Sequence, residues 1–502
     1  MNDTTEKNIT ENQVTEAEYG EQVAVRREKL KNLCAAGENP YEQTKFVCTA
    51  TSAEILGNVA AYEGKTVSVA GRVLSRRMMG KASFAHVLDS KGKIQIYVKI
   101  DNVGAETYEK WKKADVGDIF GITGTVFVTH KGEVSVSATA MTLLSKSLLP
   151  LPEKFHGLKD NDLRYRQRYV DLIANPEVKD CFVVRGKIIK AIRDLLDEKG
   201  FVEVETPVLN TIAGGASARP FVTHHNTLDL NMYMRIAPEL YLKRLIVGGF
   251  DKVYEIGKMF RNEGMDVKHN PEFTMMELYQ AYADYHDMMD ITEEIYRAAM
   301  KAAGKEGKIT YQGTEIDMTF PWERLPMLEA IKRYVGIDYD KMTAEEALAA
   351  AKAAGVEIDP KKTAWGNIVY ATFDQKVEEK LIQPVFITDY PVEESPLTKR
   401  SNEDPRLTYR FEFFIFAREM GNAYSELNDP IDQRERFERQ VALRDNGDDE
   451  AQMMDEDYVT ALEYGLPPTG GLGIGIDRMI MLLTDSASIR DVMLFPTMKP
   501  KN

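Results

Sequence analysis

The sequence predicts an α+β fold, in which a small N-terminal β-barrel precedes a larger antiparallel β-sheet flanked by helices. Five strand-like runs separated by glycine-containing turns occupy residues 66–143. Two β-rich runs joined by a long charged loop occupy residues 256–280. A glycine-rich run that leads into an apolar helix occupies residues 465–485. These three stretches together predict at least two folded parts.

The composition is that of a globular protein with more than one core. A chain of 502 residues exceeds the size of a single core, so we expect two or three domains. No run of about 18 apolar residues is present, so no membrane span or membrane partner is expected. The polar, acidic N-terminus lacks the apolar region of a secretory signal. Three scattered cysteines, Cys34, Cys48 and Cys181, argue against a disulfide framework or a zinc site, which favours a cytoplasmic location.

The charge is unevenly distributed along the chain. The net charge is −15, yet residues 61–150 contain 13 Lys and Arg against 8 Asp and Glu. A basic domain attached to an acidic one permits contact with RNA without non-specific binding elsewhere on the protein. The alternative is that these basic residues form an ordinary solvated surface.

The strand-like runs of the first part lie at 66–74, 82–90, 93–100, 118–129 and 133–144, with a short helix at 108–114. Five strands with a helix between the third and fourth are typical of an OB-fold, a barrel whose open face binds single-stranded nucleic acid. Arg77 lies by the first run, Phe84 and Gln95 lie on the next two, and Glu133 opens the fifth. A ring that stacks on a base, with an amide and a carboxylate beside it, suits RNA readout. The alternative is that Phe84 belongs to the barrel core.

The loop between the two β-rich runs carries the first candidate chemical groups. Arg261 and Glu263 follow the first run, and Lys268, His269 and Asn270 lie in the loop. A fixed arginine beside adaptable cations suits a polyphosphate. A surface hairpin with a solvated charged tip is the alternative.

A second chemical cluster lies at residues 410–430, where Glu412 and Glu419 are separated by alternating apolar residues and a predicted bulge or loop. Carboxylates near a nucleotide suit Mg²⁺, which prefers oxygen ligands. Ion pairing with Arg410 and Arg418 is the alternative.

The glycine-rich run has the pattern Gly471-x-Gly473-x-Gly475-x-x-Arg478. It differs from the dinucleotide-binding pattern G-x-G-x-x-G, and no phosphate P-loop is present in the sequence. We predict a strand that enters a helix at about Asp477. Its glycines would let an adenine lie against the backbone, and Arg478 could cover that base and reach the terminal phosphate.

These motifs resemble a known enzyme family. The run FRNEGMDVKHNPEFT at 260–274 resembles motif 2 of the class II aminoacyl-tRNA synthetases, and the run at 471–478 resembles motif 3. The helix and strand at 178–209 resemble motif 1, which forms the dimer interface of that family. The sequence of residues 260–285 is similar to that of the bacterial-type lysyl-tRNA synthetases. The sequence of residues 71–99 is similar to the anticodon-binding domain of the lysyl, aspartyl and asparaginyl enzymes.

The resemblance implies a fold and a division of the chain. It implies an OB-fold barrel joined to the antiparallel sheet of a class II synthetase. Residues 1–60 would form an N-terminal extension with a helix at 19–36, and 61–148 the anticodon-binding OB-fold. Residues 149–174 would form a linker containing a helix at 162–173. Residues 175–502 would form the catalytic domain, with a helical insertion at about 320–380.

The resemblance also implies a two-step ligase reaction. L-lysine and ATP would give lysyl-adenylate and pyrophosphate, and the lysyl group would then pass to the 3′ end of tRNA(Lys). The cofactor would be Mg²⁺, with up to three ions per subunit bound with ATP. The enzyme would be a homodimer.

Site residues are implied by position in the motifs. Arg261 and Arg478 would be catalytic, and the residues that bind ATP would be Arg261, Glu263, His269, Asn270, Phe273, Glu412 and Arg478. The residues that bind lysine would be Gly215, Glu239, Arg261, Glu277, Tyr279, Asn422, Tyr424 and Glu426. Glu412 and Glu419 would bind the metal. Arg77, Phe84, Gln95 and Glu133 would bind the anticodon.

Three alternatives are open at this point. The first is an aspartyl or asparaginyl enzyme, which would need a cationic side-chain pocket, whereas Glu277 and Glu426 are anionic. The second is a paralogue that lysylates a translation factor and lacks the N-terminal barrel. The third is a non-catalytic RNA-binding protein with a decayed synthetase body.

Overall fold

The computed structural model describes residues 16–152, 158–445, 447 and 450–500. Residues 1–15 of the predicted N-terminal extension lie outside the described residues. The chain divides into two compact units, Met1–Leu158 and Lys159–Asn502. None of the described helices is long and apolar enough to cross a membrane. The division into four segments that we drew from the sequence stays a prediction.

The first unit contains a closed five-stranded barrel with the strand order β1-β2-β3-β5-β4. Strand β3 pairs with β5 in parallel, and the other neighbours pair antiparallel. The strands are β1 (Thr66–Met79), β2 (Ala82–Leu88), β3 (Lys93–Lys99), β4 (Ile119–Val128) and β5 (Val134–Ser145). The helices are α1 (Glu16–Ala35), α2 (Ser52–Gly57), α3 (Val59–Tyr62), α4 (Ile100–Val103) and α5 (Ala105–Lys113). The predicted OB-fold is confirmed.

Two details of the barrel differ from expectation. Strand β1 continues to Met79, five residues beyond its predicted end, because its exposed second half pairs with β2 from Ala82 onwards. On β2 the buried residues are Ser83, Ala85 and Val87, so Phe84 faces outwards and is half-buried. The alternative that Phe84 belongs to the barrel core is therefore wrong.

The second unit is built on an eight-stranded sheet with the order β14-β15-β16-β17-β18-β11-β10-β6. Its strands are β6 (Val202–Glu203), β10 (Lys252–Phe260), β11 (Glu272–Ala281), β14 (Glu323–Pro326), β15 (Val385–Pro391), β16 (Leu407–Phe414), β17 (Glu419–Ser425) and β18 (Thr469–Gly475). Small sheets are formed by β7 (Leu209–Asn210), β8 (Val222–His225) and β9 (Leu230–Met234), and by β12 (Lys308–Tyr311) and β13 (Thr314–Asp317). The six central strands are antiparallel as predicted, whereas the edge strands β6 and β14 pair in parallel with their neighbours.

The helices of the second unit cover and extend the sheet. They are α6 (Asn161–Arg166), α7 (Arg168–Ala174), α8 (Val178–Glu198), α9 (Glu239–Val247), α10 (Tyr285–Ala302), α11 (Met327–Val335), α12 (Ala344–Ala353), α13 (Trp365–Lys376), α14 (Pro430–Asp445), α15 (Glu456–Gly465) and α16 (Ile476–Leu483). Apolar residues of α8, α10 and α16 form the main core with the sheet, and those of α11–α13 form a separate cluster. Burial of these apolar side chains supplies the main driving force for folding.

Two predicted elements of this unit are interrupted. The helix expected at 162–173 breaks at Gln167 (φ −116°, ψ 54°), because the next residue, Arg168, is buried against the backbone oxygens of residues 490 and 493. The strand expected at 201–209 is reduced to β6 and the separate β7. Between them, the backbone and hydroxyl of Thr206 donate to Glu255 instead of continuing a ladder, and Pro207 cannot donate.

The strands that carry the candidate chemistry are confirmed. Strands β10 and β11 form the predicted antiparallel pair, with a loop over 261–271. Strands β16 and β17 pair with a bulge between Phe413 and Phe414, as the spacing of Glu412 and Glu419 predicted. The glycine run forms β18, and α16 begins one residue before the predicted Asp477.

Candidate active site

Two cavities adjoin over strands β11, β17 and β18 of the second unit. The first has a volume of about 210 Å³, and the predicted site residues that line it are Arg261, Glu263, His269, Asn270, Phe273, Glu419 and Arg478. The second has a volume of about 230 Å³, and those that line it are Gly215, Glu239, Arg261, Glu277, Tyr279, Glu412, Glu419, Asn422 and Tyr424. Arg261 and Glu419 line both cavities, so a ligand in one meets the same two side chains as a ligand in the other.

Arg261 follows the last residue of β10, and its guanidinium lies over the ring of Phe273 at 5.2 Å. Its Nε is buried and has no hydrogen-bond partner among the described residues. A buried donor without a partner is costly, so this atom marks a place where a ligand acceptor would be favourable. Asn270 in the same cavity likewise has a buried Oδ1 without a partner in the described part of the chain.

Arg478 in the first turn of α16 joins the loop to the sheet. Its Nη2 lies 3.2 Å from His269 Nε2, and its Nη1 donates to the backbone oxygen of Glu419 at 2.5 Å. Because a guanidinium has no acceptor, His269 Nε2 must accept and its Nδ1 must carry the proton, which it donates to Asp266 at 2.9 Å. The two distant arginines, Arg261 and Arg478, thus converge on one cavity.

The second cavity is strongly anionic. Glu277 accepts from the hydroxyl of Tyr279 at 3.0 Å, and Asn422 donates to the hydroxyl of Tyr424 at 2.7 Å. Gly215 has φ +86°, and a Cβ at this position would lie 3.2 Å from Cβ of Glu239. This glycine therefore lets the backbone pass close to the Glu239 side chain.

Glu426 lies behind the wall of the second cavity. Its exposed fraction is 1%, and a side chain on Gly471, which lines the cavity, would collide with the Glu426 carboxylate and with the ring of Tyr279. The Glu426 carboxylate is paired with the ammonium of Lys243, a fully buried lysine of α9. Glu426 is thus not among the residues that line the cavity: the structure places it behind Gly471 and gives it an internal cation.

Burial changes the ionisation of these carboxylates. Burial raises the pKa of Glu277 to about 8, with Glu239 nearby adding to the effect. Burial likewise raises the pKa of Glu426 to about 8, although Lys243 acts in the opposite direction. A cationic ligand would favour the charged forms, so an arriving ammonium group would lower both pKa values.

The surroundings of Glu412 fit both interpretations of this residue, as a metal ligand and as the partner of an arginine. Its carboxylate accepts from Arg410 at 2.5 Å and from the hydroxyl of Tyr390 at 2.9 Å, which matches the ion-pair alternative. Burial raises its pKa to about 7 despite Arg410, and the charge of Glu419 adds to this rise. Arg418, the other arginine of that alternative, contacts Tyr311 instead.

The outer face of the barrel carries the predicted RNA-binding residues. Phe84 lies between Arg77 and Tyr97 across the strands, and the rings of Phe84 and Tyr97 are 4.9 Å apart. His86, directly opposite Gln95 on the next strand, lies with its Nε2 3.1 Å from Glu133 Oε1. The four predicted residues therefore share one face, to which the structure adds Tyr97 and His86.

Comparison with known proteins decides the family. A family model of class II tRNA synthetases (D, K and N) matches residues 160–499, and a model of the OB-fold nucleic acid binding domain matches residues 67–144. A lysine–tRNA ligase of Pelotomaculum thermopropionicum is 60% identical over 489 residues, which are 97% of this chain and 96% of the relative. The chain belongs to the class II lysine–tRNA ligase family.

Further relatives agree with this lysine–tRNA ligase assignment. The lysine–tRNA ligase of Carboxydothermus hydrogenoformans is 59% identical over 487 residues, which are 97% of this chain and 99% of the relative. That of Thermoanaerobacter pseudethanolicus is 58% identical over 488 residues, which are 97% of each. The resemblance drawn from the sequence motifs is confirmed, and the family match makes the chain an aminoacyl-tRNA synthetase.

Sequence reasoning missed three residues of this lysine–tRNA ligase site. Lys243 lay in an ordinary amphipathic helix, and Arg410 was considered only as an ion-pair partner. Asp477 holds Arg185 of α8 at 2.5 Å and accepts from the backbone of Thr274 at 2.6 Å, which ties the glycine-rich segment to β11. The only sequence signal for Asp477 was its place beside Arg478, because its partners are distant in the chain.

Proposed function

We propose that this chain activates L-lysine with ATP, giving lysyl-adenylate and pyrophosphate, and then transfers the lysyl group to the 3′ end of tRNA(Lys). The observation that carries the proposal is the position of Arg261, which lines both cavities. ATP in the first cavity and lysine in the second would meet beside its guanidinium. The family to which the chain belongs carries out this class of reaction, as the names of its relatives state.

The first step joins the two substrates. A carboxylate oxygen of lysine attacks the α-phosphorus of ATP, the bond to the bridging oxygen breaks, and pyrophosphate leaves with the electron pair. Arg261 holds the α-phosphate and the lysine carboxylate, and its unpartnered Nε supplies a donor that the protein leaves unused. Catalysis then consists of positioning and charge stabilisation rather than covalent chemistry by the protein.

The rest of the first cavity holds the nucleotide. Glu263 and Asn270 read the adenine, Phe273 and Arg478 lie against its two faces, and His269 contacts the outer phosphates. The contact between Arg478 and His269 supports this assignment, because it places the imidazole of the loop beside the guanidinium of α16.

The second cavity recognises lysine. Gly215 and Glu239 bind the α-ammonium, and Glu426 pairs with the ε-ammonium at the Gly471 wall. Glu277, Tyr279, Asn422 and Tyr424 line the path of the side chain. A buried anionic pocket selects an amine because a neutral side chain would leave a carboxylate unpaired. An aspartyl or asparaginyl enzyme would need the opposite charge here.

Glu412 and Glu419 are the residues that would hold Mg²⁺ with ATP. Burial raises the pKa of Glu412, and the charge of Glu419 adds to the rise; a divalent cation would oppose both effects, so the donor set fits. No group of three or more metal-binding side chains occurs among the described residues, so phosphate oxygens would complete the coordination. When bound, Mg²⁺ would neutralise phosphate charge. The count of up to three ions per subunit stays a proposal.

The barrel face supports the anticodon assignment. Phe84 stacks on an anticodon base, Gln95 and Glu133 read a base edge, and Arg77 holds nearby backbone. Their shared outward face and the adjacent ring of Tyr97 form a stacking platform of the kind that single-stranded RNA requires.

We further propose that the enzyme is a homodimer through the motif 1 region. Apolar side chains are exposed on α8 and on the strands and loop that follow it, namely Val183, Val202, Val208, Leu209, Val222 and Leu230. A cluster of exposed apolar residues marks an interaction surface.

The cytoplasmic location is supported by three cysteines that form no disulfide. The boundaries of the four predicted segments belong to this proposal as well.

The test is aminoacylation of tRNA(Lys) by the purified chain in the presence of ATP and Mg²⁺, with labelled lysine or labelled aspartate. We expect lysyl-tRNA and no aspartyl-tRNA. Charging with aspartate alone, or no charging by a chain that binds ATP, would refute the proposal.

A further inference from the structure

Lys243 carries an ammonium group that is buried beside the pocket that we assign to a substrate ammonium group. Its side chain is completely buried, and its Nζ donates to Glu239 Oε1 at 2.6 Å. The same Nζ pairs with Glu426, which follows β17. The two carboxylates come from different elements, so Lys243 ties the start of α9 to the end of β17.

The groups that face Lys243 leave the pocket short of positive charge. Acidic groups come from α9 (Glu239), β11 (Glu277) and the end of β17 (Glu426), and the hydroxyls of Tyr279, Tyr424 and Tyr458 complete the surroundings. Arg410 of β16 also faces Glu239, but its charge is matched by Glu412 at 2.5 Å. Arg261 also acts on Glu277, but we assign its charge to the lysine carboxylate. Three carboxylates therefore face one remaining unmatched cation, Lys243, which leaves two negative charges when all three are ionised. A lysine molecule carries two ammonium groups.

Stability alone does not account for this arrangement. A buried ion pair gains little over apolar side chains of similar volume, because the cost of removing its charges from water offsets their attraction. A buried carboxylate without a cation, by contrast, takes up a proton and ceases to attract an ammonium group. The ammonium of Lys243 acts against burial by lowering the pKa of Glu239 and Glu426, so both ionise more readily when a cationic ligand arrives, and it pairs with an oxygen of each.

We infer that Lys243 is a positioning residue that sets lysine specificity, because it holds Glu239 and Glu426 in place and reduces three buried negative charges to the two that lysine neutralises. This inference rests on the proposed function and adds to it a residue that does not contact the substrate. Lys243 does not line either cavity, and its positive charge would repel a substrate ammonium group, so it is not a direct ligand of that group.

The test compares Lys243→Met with the wild-type chain. Binding of L-lysine and of norleucine, which lacks the ε-ammonium, is measured by calorimetry without ATP at pH 7 and at pH 8.5. In Lys243→Met we expect lysine to bind about tenfold or more weakly at pH 7. We expect a smaller loss at pH 8.5, because a larger fraction of the carboxylates is ionised at the higher pH, and a reduced preference for lysine over norleucine. ATP affinity should remain unchanged.

A charge-balanced variant separates the electrostatic role from a structural one. Lys243→Met combined with Glu277→Gln removes one positive and one negative charge, so two negative charges remain, while Glu239 and Glu426 are kept. We expect the double variant to recover part of the lysine affinity, or to fold where the single variant does not. The inference is overturned if the double variant binds lysine no more tightly than Lys243→Met does. It is also overturned if neither variant folds. A loss of affinity that is equal at both pH values overturns it as well.

The two proposals fail in different ways. If the wild-type chain shows no lysine-dependent pyrophosphate exchange, the proposed function fails whatever the variants do. If the wild type activates lysine and Lys243→Met binds lysine within twofold of it at pH 7, only the role of Lys243 fails.

Discussion

Arg478 Nη2 and His269 Nε2 lie 3.2 Å apart, although 209 positions separate the two residues in the chain. Arg478 belongs to a buried helix turn and His269 to the loop between β10 and β11. The contact holds the loop against the sheet on the side where the nucleotide would lie. The loop is therefore already ordered before ATP binds, which reduces the conformational entropy lost on binding.

The first prediction concerns this contact. Arg478→Ala should raise the KM for ATP and lower pyrophosphate exchange by about 10²-fold, because it removes both a phosphate contact and the anchor of the loop. Lysine binding measured without ATP should change little. The matched control is Arg418→Ala, since Arg418 lies next to Glu419 but contacts Tyr311. Equal losses in the two variants would contradict the role given to Arg478.

The second prediction concerns Arg261. Arg261→Ala should lower adenylate formation by about 10²-fold or more, as expected for one lost charge-stabilising donor. Because Arg261 lines both cavities, the affinities for ATP and for lysine should both fall. Separate binding measurements for the two substrates check this expectation. Near-normal exchange would remove Arg261 from the mechanism.

The third prediction concerns pH. Burial raises the pKa of Glu277 and Glu426 to about 8, so in the empty pocket below that pH these groups carry protons. Ammonium groups favour the ionised carboxylates, so lysine binding must release protons, and affinity should rise as the pH increases from 6 towards 8 and then level off. Calorimetry in buffers of different ionisation enthalpy measures the proton count. If lysine binding took up protons instead of releasing them, the predicted ionisation of these carboxylates on binding would be wrong.

The fourth prediction concerns Gly471. A methyl group at this position would collide with the Glu426 carboxylate and the Tyr279 ring, so Gly471→Ala should weaken lysine binding by about 10²-fold through displacement of the carboxylate. The matched control is Gly475→Ala on the same strand, where the nearest atom to the new Cβ would be Arg478 Cδ at 3.6 Å, an ordinary contact. The control should bind lysine normally without ATP. Normal lysine binding by Gly471→Ala would place Glu426 outside the recognition of lysine.

The fifth prediction concerns the barrel. Phe84→Leu should weaken binding of the tRNA(Lys) anticodon stem-loop by roughly 1–3 kcal/mol, the usual contribution of one stacked base. Phe84→Tyr keeps the ring and should bind nearly as well as the wild type. Pyrophosphate exchange does not involve tRNA, so neither variant should change it. If Phe84→Leu lowered exchange but not RNA affinity, the anticodon assignment would be wrong.

Local patterns were sufficient to predict the elements that carry the chemistry. The spacing of Gly471, Gly473, Gly475 and Arg478 predicted a strand entering a helix, because the constraint on the backbone lies within the motif itself. The β10–β11 pair and its loop were predicted for the same reason.

Features that depend on distant partners could not be predicted. The break at Gln167 arises from the burial of Arg168 against the carbonyl oxygens of residues 490 and 493. The pairing of Lys243 with Glu426 joins residues whose nearness the sequence does not indicate, so Glu426 was expected to face only a ligand. In each case a contact between residues distant in the chain determines the local structure. Neither secondary-structure propensity nor residue spacing indicates such a contact.

The central claim is that two arginines converge on one ATP beside an anionic pocket that admits a long primary amine. It is tested most directly by pyrophosphate exchange of the wild-type chain with ATP, Mg²⁺ and each of the twenty amino acids in turn. We predict exchange with lysine and background rates with aspartate, asparagine and all others. Exchange that depends on an acidic or neutral amino acid, with none on lysine, would contradict the account.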